Sequence, residues 1–145
     1  MSRALTSPYG RIRIPINEDP GKTDQIADYL NRYNGEGIQH IAVGSENIYV
    51  STDQIAANGV RFMSPLNSTY YDLSHARVNG HSEPLDRLQK NGILIDGEGV
   101  LEGDKTKILL QVFSKTMVGP IFFEFIQRQG MRVLARVIFK LCLNL

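Results

Sequence analysis

Three apolar runs, at residues 93–95, 108–114 and 121–127, follow one another with no helical pattern between them. The links are Asp96-Gly97-Glu98-Gly99 and Val118-Gly119-Pro120 with their flanks. A purely parallel sheet would need a crossover helix in each link. The short links therefore predict an antiparallel ladder, covered on one side by helices. Upstream, Gly37 opens a strand over 38–43 that sets Ile38, His40 and Ala42 on one face and Gln39, Ile41 and Val43 on the other. Ser51 or Thr52 caps a short helix over 53–58 that Gly59 closes, a strand over 60–63 ends before Pro65, and helices follow over 69–78 and 83–91. The second of these buries Leu85 and Leu88. The stretch 36–128 reads as one β-α-β-β-β module of an α+β fold, with no internal repeat, and such a unit is half of several pseudo-symmetric folds.

Before the module, Arg and Ile alternate from Arg11 to Ile14, which is the period of a strand with one wet face. Pro15 suits an edge, and Asp19-Pro20-Gly21 a turn. Thr23 or Asp24 then caps a helix whose apolar face carries Ile26, Ala27, Leu30 and Tyr33. After the module, residues 131–145 hold three basic and no acidic side chains, with apolar residues in nearly every helical phase. That is a poorly amphipathic tail.

At 145 residues the chain has single-domain length, and a net charge of +1 gives no reason to expect nucleic acid or an anionic membrane as partner. Its one cysteine, Cys142, excludes an internal disulfide. The longest apolar run, about residues 117–126, is too short to span a bilayer, and the N-terminus lacks a signal-peptide pattern, so the expected setting is cytoplasmic.

Two strands each spend an interior position on a polar, metal-binding group: His40 within Gly37-Ile38-Gln39-His40-Ile41-Ala42, and Glu124 within Ile121-Phe122-Phe123-Glu124-Phe125-Ile126. A buried imidazole is either a ligand or a hydrogen-bonded core residue. A carboxylate among four apolar neighbours is paired, protonated or metal-bound if it faces inward, and an ordinary solvated group if it faces out. Imidazole and carboxylate together are two thirds of the two-His-one-carboxylate triad of non-haem Fe(II) oxygenases. A third ligand would come from His75 or His81, whose polar settings also suit surface histidines. Gln39, Gln111 and Asn17 are amides able to bond an organic acid. Gly97-Glu98-Gly99 lacks the lysine and further glycine of a phosphate loop.

Longer stretches resemble the catalytic C-terminal domain of bacterial 4-hydroxyphenylpyruvate dioxygenases: Ser7-Pro8-Tyr9-Gly10-Arg11-Ile12-Arg13-Ile14-Pro15-Ile16-Asn17-Glu18, Asn34 to Ala42, Thr69-Tyr70-Tyr71, His81-Ser82-Glu83-Pro84-Leu85, Leu109 to Phe113, and Gly119 to Arg128. The resemblance implies the vicinal-oxygen-chelate fold of paired β-α-β-β-β modules, with Fe(II) held by two histidines and a glutamate. His40 falls on the second histidine and Glu124 on the glutamate. Ser2, Asn17, Gln25, Gln39 and Gln111 fall on polar positions of the substrate pocket, and Phe113 on an aromatic beside the substrate ring. The implied reaction converts the 2-oxo acid 4-hydroxyphenylpyruvate and O₂ to homogentisate and CO₂.

The departures from the family are equally specific. The first histidine ligand has no counterpart, so the implied iron site is incomplete in one chain. The family's glycine-rich closing loop is also missing in frame. Reading GAT GAG GGT TTT GGC GAG GGT AAT, which encodes the usual Asp-Glu-Gly-Phe-Gly-Glu-Gly-Asn, one base late gives Met-Arg-Val-Leu-Ala-Arg-Val, identical to residues 131–137. The expectation is a partial catalytic domain over residues 1–130 followed by a frameshifted tail over 131–145. Half a barrel should leave its concave sheet and an edge uncovered, which predicts a homodimer or higher oligomer. The alternatives to a truncated dioxygenase are a non-catalytic self-associating fragment and a different metal-dependent enzyme of the same superfamily.

Overall fold

The computed structural model describes residues 2–9, 13–17, 25–101 and 105–130, which divide after Gly37 into two units. The tail and the caps Thr23 and Asp24 lie outside the described residues. In the first unit Ser2–Thr6 (β1) pairs antiparallel with Arg13–Asn17 (β2), Ser2 opposite Asn17, and Gln25–Tyr33 (α1) follows. β1 has no alternation of polar and apolar residues and was not anticipated. The apolar face of α1 centres on Tyr29, which is buried and stacks on Tyr33 at 5.2 Å, while Tyr33 itself stays exposed.

The second unit contains His40–Gly44 (β3), Ile48–Ala57 (α2), Ser68–Asp72 (α3), Ser74–Arg77 (α4), Leu85–Asn91 (α5), Leu94–Leu101 (β4), Lys105–Phe113 (β5) and Phe122–Gln129 (β6). Its sheet has the order β3-β6-β5-β4. The last three strands form the expected antiparallel ladder, and β3 joins it parallel to β6. Alternation along β4 and β5 sends Ile95, Ile108, Leu110 and Val112 into a core with Ile48, Tyr71, Val78 and Leu88 from the helical side. Each such side chain, fully buried, stabilises the fold by roughly 1.5–3 kcal/mol.

Four local expectations change. The first helix of this unit starts at Ile48, not at 53, because Asn47 caps it by accepting the Val50 N–H. Thr52, expected as a cap, is inside the helix and donates to the Ile48 carbonyl. Residues 60–63 form no strand, only a bridge from Phe62 to Ser114. Asp96 to Gly99 does not stop β4: the ladder with β5 continues across a register shift between Gly97 and Gly99. On the sheet face opposite the helices, Leu109 and Gln111 are 0% exposed, whereas Ala42 of β3 on the same face is exposed.

His81 also departs from the surface position expected of it. It is 4% exposed, accepts the Glu83 N–H at Nδ1 and lies 3.2 Å from Ser74 Oγ through Nε2. The exposed His75 stacks on its ring at 4.1 Å. Glu83 in turn accepts from Tyr49 of α2 and Gln129 of β6, so the loop before α5 is tied to both layers. Burial, then the neighbouring His75 and Arg77, hold the His81 pKa below its ordinary 6.5, against the pull of Glu83. A depressed folded pKa gives stability that is present above the unfolded value and lost as pH falls through the folded one. Urea midpoints are therefore expected to fall on acidification below about pH 6.5, and to fall less in His75→Ala.

Candidate metal centre

The parallel pairing of β3 with β6 sets His40 opposite Phe122 and Ala42 opposite Glu124. His40 and Glu124 thus become diagonal neighbours on the face away from the helices. His40 Nε2 and Glu124 Oε2 are 3.6 Å apart, with side chains 14% and 2% exposed. That is too long for a hydrogen bond. Two atoms each about 2 Å from one ion lie at most about 4 Å apart, so the spacing admits a shared mononuclear site.

The electrostatics suit the same reading. Burial lowers the His40 pKa, leaving the neutral imidazole a ligand requires. Burial raises the Glu124 carboxyl to about 7, against the opposing pull of Arg128. Glu124 Oε1 finds no hydrogen-bond partner among the described residues, and neither do Nε2 and Oε1 of the fully buried Gln111. Each buried polar group left unbonded costs about 1–3 kcal/mol. Three of them on one face, beside an imidazole, mark a surface that a polar ligand or cation would satisfy.

The flanking residues come from β5 and β6. Phe113 is opposite Glu124, and Gln111 is opposite Ile126. Phe122 stacks on His40 at 5.0 Å and 15°, and meets Phe113 edge-on at 6.2 Å and 68°. Gln39 precedes β3, and its carbonyl accepts the Phe122 N–H. Ser2, Asn17 and Gln25 belong to the unit that ends at Gly37: Ser2 and Asn17 face each other across β1 and β2, and Gln25 opens α1. Among the described residues no group of three or more His, Cys, Asp or Glu side chains is placed to hold a metal ion. His81 has no lone pair to offer, since Nδ1 already accepts from Glu83 and Nε2 faces Ser74. Sequence reasoning treated Phe122 only as an apolar flank, and its stacking role depends on a strand pairing that no local pattern announces.

No family model matches the chain. Among solved structures it is similar to a xylose isomerase-like TIM barrel/4-hydroxyphenylpyruvate dioxygenase fusion protein, with TM-score 0.72 and 28% identity over 97% of this chain and 22% of that one. It is also similar to a mutant 4-hydroxymandelate synthase from Streptomyces coelicolor, with TM-score 0.67 and 27% identity over 92% of this chain and 37% of that one. Sheet order, helical layer and these neighbours define an α+β protein of the vicinal-oxygen-chelate class. Among proteins of that class its sequence relatives include 4-hydroxyphenylpyruvate dioxygenases. The chain is 50% identical over 129 residues to the enzyme of Pseudomonas aeruginosa, covering 89% of this chain and 35% of the relative. It is 48% identical over 130 residues to hemolysin VllY of Vibrio vulnificus, covering 90% and 35% respectively. The chain thus spans about a third of the length of the curated relatives it matches. Among the described residues no helix is long and apolar enough to cross a membrane.

Proposed function

We propose that this chain is part of a 4-hydroxyphenylpyruvate dioxygenase and supplies two ligands of its Fe(II) centre. The observation that carries the reading is the buried His40–Glu124 pair at 3.6 Å, with the second carboxylate oxygen unpartnered among the described residues. His40 Nε2 and the Glu124 carboxylate would hold the ion, which when bound supplies Lewis acidity and oxygen activation. Glu124 must release its proton to ligate, so metal uptake strengthens as pH rises. The Gln111 amide offers one donor side and one acceptor side to a 2-oxo acid on the same face. Phe113 supplies a flat apolar wall for an aromatic ring. Leu109, Gln111 and Ile126 are buried on that face, which supports a water-poor setting on the β5 side of the ion. Gln39, Ser2, Asn17 and Gln25 match polar substrate positions of the family, the last three of them within the unit that ends at Gly37.

The test is to incubate the purified chain with Fe(II), 4-hydroxyphenylpyruvate and O₂, measuring homogentisate and bound iron alongside His40→Ala. The variant is expected to bind iron at least about tenfold more weakly and to form no product. Equal iron and product in parent and variant would sink the assignment. A second reading, a non-catalytic self-associating fragment, is favoured by β3. Its outer edge has no strand partner among the described residues, and Ile41 and Val43 are 44% and 41% exposed. Sedimentation of the same sample separates the two: a stable oligomer without iron or product supports the second.

A further inference from the structure

Phe122 stands between the two halves of this site. It is the register partner of His40 across the parallel β3–β6 pair, and it is partly buried on the same face as Glu124. Its ring lies over the His40 imidazole at 5.0 Å between centroids, with only 15° between the planes. It also meets Phe113 edge-on, at 6.2 Å and 68°. Phe113 is itself opposite Glu124. His40, Phe122 and Phe113 thus form a continuous run of ring contacts, with Glu124 3.6 Å from His40 at one end and the register partner of Phe113 at the other.

The strand order gives this run an asymmetry. Glu124 sits on β6, hydrogen-bonded to a strand on each side, whereas His40 sits on β3 at the sheet edge. A ligand must be held within about 0.5 Å and 10–20° of its working geometry. An aromatic plane stacked on the imidazole restricts χ2, because rotating the ring away from parallel loses the stacked contact.

We infer that Phe122 is a positioning residue for His40, fixing the imidazole plane so that Nε2 is directed at the position shared with the Glu124 carboxylate. Phe113 sets the Phe122 ring in turn, which couples the wall of the pocket to the orientation of the metal ligand. This rests on the reading of His40 as a ligand for a divalent transition metal.

The experiment compares the parent chain with Phe122→Leu, which keeps apolar bulk without the plane, and Phe122→Tyr, which keeps the plane. The first readout needs no metal: side-chain carbon relaxation and three-bond couplings of His40 by NMR. The parent and Phe122→Tyr are expected to hold one His40 rotamer, and Phe122→Leu to average over several. The second readout is Co(II) affinity by calorimetry, expected to weaken about tenfold in Phe122→Leu and to be restored to within about twofold in Phe122→Tyr. A single fixed His40 rotamer in a folded Phe122→Leu overturns the proposal, as does undiminished Co(II) affinity in that variant. If the parent binds no Co(II), the ligand reading falls, and the rotamer comparison still decides whether Phe122 orients His40.

Discussion

Without metal, the Glu124→Gln chain is expected to unfold at a higher temperature than the parent at pH 8, and to have lost its affinity for divalent cations. Burial raises the Glu124 carboxyl from 4.5 to about 7, so the fold favours its protonated form. For a raised pKa the stabilisation is complete below the unfolded value and disappears as pH rises through the folded one. At about 1.4 kcal/mol per unit, the ionised carboxylate costs the metal-free fold about 3 kcal/mol by pH 8. Glutamine has the same shape and no charge to desolvate. Scanning calorimetry should show coincident midpoints near pH 4.5, a gap opening toward pH 7, and roughly 10 °C of separation above it. Coincident midpoints at pH 8 would mean that the carboxylate is solvated and that its strain is not held in reserve for a cation.

The second large effect is expected at Gly97. Its φ is +125°, and a Cβ there would collide with the Lys107 carbonyl across the β4–β5 ladder. A backbone oxygen fixed in a sheet cannot move aside as a flexible side chain can. Gly97→Ala is expected to cost about 3 kcal/mol or more, from conformational strain and a displaced strand together. Gly44→Ala is the control, since a Cβ there meets nothing within 4 Å and should change stability by less than about 0.5 kcal/mol. Urea titrations of the pair measure the difference directly, and an equally mild Gly97→Ala would remove the bulge from the account of β4.

Gly97 also shows where the sequence was legible and where it was not. The turn-like composition of Asp96-Gly97-Glu98-Gly99 was visible, but the same glycines serve a turn or a bulge, and only the pairing with β5 decides between them. The antiparallel ladder was readable because link length constrains strand direction. The β3–β6 pair was not, since parallel strands distant in sequence leave no local mark. His40 and Glu124 could therefore be singled out one at a time, by imidazole or carboxylate in an apolar run, while their adjacency came only with the fold. Alternation left Glu124 facing inward or outward, and its 1% exposure closes the question. His81 was read as a surface group because its neighbours in sequence are polar, yet its neighbours in space are Ser74, His75 and the Glu83 backbone.

The parallel pairing has one more consequence. The strands carrying His40 and Glu124 are separated by about eighty residues, and closing a loop of that length costs roughly 4 kcal/mol of chain entropy. β6 is secured by β5, but β3 hangs on β6 alone among the described residues. Any ligand bonded to both side chains would act as a reversible crosslink across that loop. Loading the site would then slow detachment of the edge strand, so resistance to proteolysis near β3 becomes a direct gauge of occupancy.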